Sequence, residues 1–182
     1  MRTGHADYRI IGMGLFAIAV LLVIGMAVEV QQRTPFEREQ ARSEAANPKW
    51  LRVQITTADS RREYRQNEAI FIVPSFLSTV PYKYKIEIAD GKSESAVDLL
   101  HLSSGEVRLR NLTGIFCCFS RMIGLDNEPY TFQTVTPLRL PPGQYEIYLT
   151  TRRVFTWDAG PEEYNPSSFE VASNLLKIRV TE

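Results

Sequence analysis

Apolar and polar residues alternate with a period of two in several short segments after Lys49, and this alternation limits the fold of the 182-residue chain more than any other feature. In the segment WLRVQIT, Leu51, Val53 and Ile55 alternate with polar residues. The same period recurs in YKYKIEI (82–88), EVRLRNL (106–112), YEIYLT (145–150) and LKIRV (176–180). Strands with one apolar and one polar face are typical of antiparallel sheets that pack face to face.

Residues that favour turns separate these segments, and no long amphipathic helix follows Pro48. The turn signals are Asn67, Asp90–Gly91, Ser104–Gly105, Pro141–Gly143 and Asn165–Pro166. Seven or more short strands in residues 49–182 predict an all-β fold, an antiparallel β-sandwich. The alternation predicts Tyr82, Tyr84, Ile86, Ile88, Tyr145, Ile147 and Leu149 on the apolar faces, and Lys83, Lys85, Glu87, Glu146, Tyr148 and Thr150 on the polar faces.

Three segments carry a resemblance to a known type of module: LRVQITTADSRREYRQNEAIFI, LPPGQYEIYL and SNLLKIRV. Together they resemble the opening strands, a turn followed by a tyrosine, and the terminal strand of bacterial immunoglobulin-like and fibronectin-III-like extracytoplasmic modules. The resemblance implies an Ig-like antiparallel β-sandwich over residues 49–182. It also implies a tyrosine corner, in which Tyr145, placed just after Pro142 and Gly143, is buried and its hydroxyl bonds to the backbone.

The sequence departs from that family pattern in two respects. The Cys…Trp…Cys spacing of antibody domains is absent, and the 134 residues from 49 to 182 exceed the ~100 residues typical of the fold. Insertions are therefore expected near residues 92–104 and 156–172. The resemblance supports a fold and does not by itself indicate an activity.

An uncharged run of 19 residues, Ile10 to Val28, predicts a transmembrane helix. A helix of that length covers roughly 28 Å, close to the hydrocarbon thickness of a bilayer. We expect a signal anchor over 10–30, a cytoplasmic stub over 1–9, and residues 49–182 on the extracytoplasmic side of a plasma or inner membrane. The flanking arginines and the small residues at Gly25–Ala27 leave a cleaved signal peptide as the alternative, although its apolar region usually has only ~7–15 residues.

Residues 31–48 are expected to form a juxtamembrane stalk with a short solvated helix. Thr34 and Glu37 match a capping box, Pro35 suits the first helical position, and Asn47–Pro48 ends the helix. The segment has few apolar residues, so deep packing is not expected. The heptad pattern of a coiled coil is absent.

No sequence pattern predicts catalysis, a metal site or a cofactor. Asp98, His101 and Ser104 are the residue types of a hydrolytic triad, but a triad draws on distant segments. The only cysteines, Cys117 and Cys118, are adjacent within the apolar sequence IFCCF, which favours buried thiols over a strained vicinal or an intermolecular disulfide. Basic and acidic residues both number 21, so no nucleic-acid partner is expected.

The segment TWDAGPEEYNPSSF, between the last two predicted strands, is the candidate partner-binding loop. Aromatic residues interleaved with acids in a loop at the end of a sandwich fit an interaction site. The alternative is that its aromatics fold back and cap the sandwich. Arg152 and Arg153, which precede it, are available to pair with its acids. The candidate binding residues are Trp157, Asp158, Glu162, Glu163, Tyr164 and Phe169.

Together these features predict a membrane-tethered, single-pass, non-catalytic extracytoplasmic module that binds a protein partner or supports a membrane complex. Two alternatives stay open: an Ig-like protease-inhibitor-type module that presents a loop, and a module secreted after signal-peptide cleavage. An enzyme would require distant acids to converge in a pocket with His101.

Overall fold

The computed structural model describes residues 33–88, 98–109, 121–132, 134, 137–157 and 168–182. The predicted stub and transmembrane helix lie outside this part of the chain, as do Cys117, Cys118 and the loop residues Asp158, Glu162, Glu163 and Tyr164. Within the described ranges, no helix has the length and apolar character needed to cross a membrane. The chain divides into two compact units, residues 1–38 and 39–182.

Helix α1 spans Pro35–Ala45 and begins at the predicted capping box. The Thr34 amide donates to the Glu37 carboxylate at 2.8 Å, and the Glu37 amide donates to the Thr34 hydroxyl at 3.1 Å. These reciprocal bonds satisfy two amides that have no partner inside the helix. The described part of the first unit, residues 33–38, is therefore a capped helix start.

The described residues also form eleven strands, so the all-β fold predicted from the sequence is confirmed. In chain order they are β1 (Leu51–Thr57), β2 (Glu63–Arg65), β3 (Ile72–Ser78), β4 (Tyr84–Ile88), β5 (Asp98–Leu102), β6 (Gly105–Leu109), β7 (Arg121–Gly124), β8 (Tyr130–Thr131), β9 (Gly143–Thr156), β10 (Phe169–Ala172) and β11 (Leu176–Thr181). One sheet has the order β1-β3-β8, and the other has the order β2-β11-β9-β4-β7.

The 14-residue strand β9 organises the larger sheet. Its first half pairs antiparallel with β11 on one side and β5 on the other, and its second half pairs with β10 and β4. Strands β5 and β10 fall within the segments where insertions were expected, and both pair with β9 in this sheet. The register between β10 and β9 shifts between Phe169 and Val171, which places a β-bulge at Arg152 and Arg153 of β9, opposite Glu170.

The apolar faces of the two sheets form one core. Strands β1 and β11 alternate between buried and exposed residues as their sequences predict. The smaller sheet contributes Leu51, Val53, Ile55, Ile72 and Phe76, and the larger sheet contributes residues that include Tyr84, Ile86, Leu100, Ile147, Leu149, Val154, Leu176 and Ile178. This face-to-face packing makes the domain a β-sandwich.

Strands β4 and β9 differ from the predicted alternation at four residues. Tyr82 is exposed because a turn precedes β4, which begins only at Tyr84. Lys85, Tyr148 and Thr150 were expected on polar faces and are buried. Tyr148 stacks on the ring of His101, with centroids 4.5 Å apart. A tyrosine ring covered by a neighbouring side chain loses its solvent contact even on the outer face of a sheet.

Two asparagine side chains bind backbone at strand edges in the second unit. The Asn174 carboxamide accepts from the Ile55 amide at 2.7 Å, which joins β1 to the β10–β11 connection. The Asn47 carboxamide both donates to and accepts from the backbone of Ala172, at 2.7 and 2.8 Å. Gln40 of α1 is buried and donates to the Ser173 carbonyl at 2.7 Å. Residues 31–48 were expected to be a stalk, whereas residues from 39 onward pack with the sandwich.

Tyr145 closes one end of the core. Its side chain is 7% exposed, and its hydroxyl donates to the Pro141 carbonyl at 2.8 Å. This is the backbone contact that the sequence predicts for that hydroxyl. A Cβ atom at Gly143 would lie 3.3 Å from the Tyr145 ring, so the absent side chain lets the ring fold back over the turn.

Candidate functional site

Both tryptophans of the chain are exposed and flank the connection between β3 and β4. Trp50 is 38% exposed, Tyr82 is 56% exposed and Trp157 is 48% exposed. The Thr79 amide donates to the Trp50 carbonyl at 2.8 Å, and the Trp157 amide donates to the Lys83 carbonyl at 3.1 Å. We call these three aromatic residues, together with the turn that joins them, the aromatic end.

The turn Val80–Lys83 holds Tyr82 in an unfavourable backbone conformation. The Lys83 amide donates to the Val80 carbonyl at 3.2 Å, and Tyr82 has a φ of 55°. Pro81 suits the second position of such a turn, but the third position favours glycine or asparagine. A bulky residue with positive φ costs of order 1–3 kcal/mol and is found mostly at functional sites. The Tyr82 amide donates to the Leu125 carbonyl at 2.8 Å, which fixes the turn against the sheet.

The rings of Tyr82 and Trp157 form an open aromatic corner over Gly124. Their centroids are 5.4 Å apart, and the ring planes meet at 66°. A Cβ atom at position 124 would lie 2.6 Å from the Trp157 ring and 2.8 Å from the Tyr82 ring. Only glycine therefore allows both rings to rest on the end of β7 in this arrangement. The corner is a rigid apolar surface that solvent reaches.

Three lysines surround the aromatic end. The ammonium groups of Lys49 and Lys83 lie 5.4 and 5.8 Å from the centroid of the Trp50 ring. Such cation–π contacts at exposed sites contribute ~0.5–1 kcal/mol. The Lys85 ammonium donates to the Trp157 carbonyl at 3.4 Å. Lys83 thus connects the two tryptophans, with its side chain on Trp50 and its backbone on Trp157.

The structure separates the two ends of the predicted partner-binding loop. Trp157 belongs to the aromatic end, whereas Phe169 is half-buried and packs against Tyr84, with centroids 6.0 Å apart. The other four candidate binding residues lie outside the described part. Arg152 pairs with Glu170 at 2.5 Å, and Arg153 turns into the sandwich. The alternation placed Tyr82 on an apolar face and did not single out Trp50. Pro81, which was not among the predicted turns, was a signal that could have indicated the turn at Tyr82.

A buried polar cluster lies beneath the β9 bulge. Arg153 Nε lies 2.7 Å from Asp98 Oδ2, and the Thr151 hydroxyl donates to Asp98 Oδ1 at 2.6 Å. Burial raises the pKa of Asp98, although the charge of Arg153 and the hydrogen bond from Thr151 act in the opposite direction. The cluster is closed to solvent, with Asp98 and Arg153 each 1% exposed.

Asp98, His101 and Ser104 do not converge. Asp98 faces the core, whereas His101 stacks on Tyr148, with its Nε2 at 2.8 Å from the Thr150 hydroxyl. Ser104 is exposed in the turn between β5 and β6. Among the described residues, no group of three or more His, Cys, Asp or Glu side chains is placed to hold a metal ion.

Comparisons with known proteins assign no family. No family model matches the sequence, and no curated protein matches it. Among solved structures, the chain is similar to one in the crystal structure of the complex between zinc 2-glycoprotein and prolactin inducible protein from human seminal plasma. That likeness has 11% sequence identity and a TM-score of 0.38, and covers 75% of this chain and 99% of the other. It is too distant to support an argument about function.

Proposed function

We propose that this chain is a membrane-tethered, non-catalytic Ig-like module that binds a protein partner through its aromatic end. The observation that carries the proposal is the exposed group of Trp50, Tyr82 and Trp157. Tryptophan and tyrosine are enriched among the residues that dominate binding energy at protein interfaces. A polar, solvent-accessible rim usually surrounds such a centre, and Lys49 and Lys83 contribute to it here.

The geometry favours binding over a purely structural role for these aromatics. Phe169 covers core residues, as a capping side chain would, but Trp157 leaves about half of its surface in water. Tyr82 occupies a strained backbone conformation without becoming buried. The packing of the core does not require the strained backbone of Tyr82. The strain is therefore better explained by a functional requirement for the position of the Tyr82 ring.

The Ig-like assignment is supported by two features of the domain. Two sheets pack face to face over a common core, and the Tyr145 hydroxyl bonds back to the Pro141 carbonyl just before β9. That bond is the interaction expected of a tyrosine corner in sandwiches of this type. Assignment to bacterial fibronectin-III-like modules rests on the sequence resemblance alone.

The membrane tether is supported by the uncharged segment 10–28. We propose that residues 10–30 anchor the chain and that residues 49–182 lie outside a plasma or inner membrane. Washing membranes with alkaline carbonate tests the anchor, because an inserted helix stays with the lipid. Release of an N-terminally shortened chain into the soluble fraction would instead favour a secreted module.

Site-specific photo-cross-linking tests the partner-binding function. A photoreactive phenylalanine analogue replaces Tyr82 in the full chain, and a second variant carries it at Arg179, which is exposed on β11. In native membranes we expect a discrete protein adduct from position 82 and none of the same mass from position 179. Equal labelling from both positions, or none from position 82, would contradict the proposal.

The protease-inhibitor alternative makes a different prediction. An inhibitory loop between Trp157 and Phe169 would block a protease in a complex that survives gel filtration, and would be cleaved slowly or not at all. Rapid cleavage by proteases of several specificities, with no residual inhibition, would remove that alternative while leaving partner binding intact.

A further inference from the structure

Lysines are concentrated at the aromatic end, although the segment that contacts its turn also carries Asp126 and Glu128. Lys49, Lys83 and Lys85, three of the five lysines in the sequence, lie there. The described ion pairs involve other residues, so neither Lys49 nor Lys83 has a carboxylate partner among the described side chains. Both ammonium groups approach the same ring, that of Trp50. A negatively charged group on a partner complements this pair of cations.

The neighbouring aromatic corner accepts a different kind of group. Tyr82 and Trp157 present apolar ring faces at a fixed angle, because Gly124 lets both rings pack close to the backbone of β7. Aromatic-lined surfaces of this kind bind apolar side chains and the rings of proline in extended segments. Because Lys83 contacts both Trp50 and the backbone of Trp157, the cationic and aromatic parts are adjacent.

We infer that the partner inserts an acidic, extended segment, with a carboxylate beside Lys49 and Lys83 and a proline or other apolar ring on the corner of Tyr82 and Trp157. The inference rests on the proposed function and specifies the chemistry of the partner. The side chains of an extended segment are spaced along its length, so one can reach the lysine pair while another reaches the aromatic corner. A proline-rich segment is already extended before it binds and therefore loses little conformational entropy.

An anionic lipid surface is the competing occupant for tryptophan, tyrosine and lysine side chains. Asp158 is bonded directly to Trp157, and Glu162 and Glu163 follow within six residues. A flat anionic surface that covers Trp157 would bring its charges close to the Asp158 carboxylate, which is unfavourable. A single extended segment needs to cover only the rings and the lysines, so the charge pattern favours a protein segment.

The chain supplies its own probe, because its two tryptophans are both in the site. The full chain in neutral detergent is titrated with a tryptophan-free peptide of alternating glutamate and proline, and tryptophan emission is recorded. Matched peptides replace every glutamate with glutamine or with lysine. We expect a saturable change with the acidic peptide, an affinity that falls as salt is added, and at least tenfold weaker binding of the other two peptides.

Two variants assign the effect to the proposed contacts. K49Q/K83Q is expected to weaken binding of the acidic peptide about tenfold, because it removes the two cations that face the carboxylate of the peptide. K177Q removes an exposed lysine that pairs with Glu146 on another part of the sheet and is expected to leave binding unchanged. Circular dichroism of each variant establishes that the fold is retained.

Other outcomes overturn the inference. Equal binding of the glutamine or lysine peptide would show that charge does not select the ligand. An emission change with phosphatidylglycerol vesicles and none with the acidic peptide would assign the surface to the bilayer. A change that depends only on protein concentration would assign it to a second copy of the chain. If position 82 still cross-links to a protein while the acidic peptide fails, the proposed function stands and only the partner chemistry is wrong.

Discussion

The guanidinium of Arg153 and the carboxylate of Asp98 form an ion pair in the interior of the sandwich. Nε and Oδ2 are 2.7 Å apart, and the two side chains are 2% and 0% exposed. The pair joins β5 to β9 at the bulge, and Thr151 provides a second hydrogen bond to the carboxylate. A buried charge without its partner is far more costly than the pair itself is stabilising.

Replacing one member of this pair should therefore destabilise the fold strongly. We expect D98N to lower the free energy of unfolding by about 3–5 kcal/mol, because it leaves the Arg153 charge buried and unpaired. Urea-induced unfolding of the full chain in neutral detergent measures the change. R152M is the matched control: Arg152 pairs with Glu170 on the surface, and its loss should cost no more than about 1 kcal/mol. Similar losses in the two variants would contradict this assignment.

Removal of the cation should make stability depend more steeply on pH. Burial already raises the pKa of Asp98, and R153M removes the positive charge that opposes this effect. In the unfolded chain Asp98 releases its proton near pH ~3.9, whereas in the folded variant it retains the proton to a higher pH. The folded state then binds the extra proton, so stability is lost as pH rises through that window. We expect the deficit of R153M relative to the unsubstituted chain to be small at pH 4 and larger at pH 7. A deficit independent of pH would show that Asp98 does not titrate in this range.

The alternation of apolar and polar residues predicted which strand faces form the core better than it predicted the residues of the aromatic end. In β1 and β11 each side chain meets either the opposite sheet or water, so the period of two is sufficient to assign its face. Tyr148 fails this rule because a partner distant in the sequence, His101, covers it. Arg153 lies in phase with the inward residues of β9, but its burial as a charged side chain depends on another distant partner, Asp98. The β9 bulge also changes which residues face inward, and no local pattern marks it.

The residues of the aromatic end were likewise only partly predictable from the local sequence. Trp157 stood out in the sequence because it lies in a polar loop. Its grouping with Trp50 and Tyr82 depends on strand pairing between segments separated by more than seventy residues. Pro81 is a local turn signal that was not among the predicted turns, and the alternation of YKYKIEI favoured an earlier strand start than the one observed.

Loss of the Tyr145 hydroxyl tests the contact that closes the end of the core. Y145F keeps the ring and removes the donor to the Pro141 carbonyl, so we expect a loss of about 1 kcal/mol in the free energy of unfolding. Y82F, at an exposed ring, should change stability by less than about 0.5 kcal/mol. Equal stability of Y145F and the unsubstituted chain would show that the corner hydrogen bond contributes little, and would weaken the Ig-like assignment.

The conformation of Tyr82 predicts a conflict between stability and binding. Glycine tolerates a positive φ without steric cost, so Y82G relieves the strain of the Val80–Lys83 turn, while it also removes the ring contact with Trp157. Because both rings are about half exposed, we expect relief of strain to outweigh both the lost ring contact and the added backbone freedom of glycine in the unfolded chain, so that the free energy of unfolding rises by up to about 1 kcal/mol. The same variant should lose the discrete cross-linked partner when the photoreactive group is placed at Trp157 instead. Thermal unfolding and cross-linking measured on one preparation test both halves. Two outcomes would contradict this prediction: a loss of more than about 0.5 kcal/mol in the stability of Y82G, or continued capture of the partner by that variant. Either would show that the position of the Tyr82 ring was not selected for binding at the expense of stability.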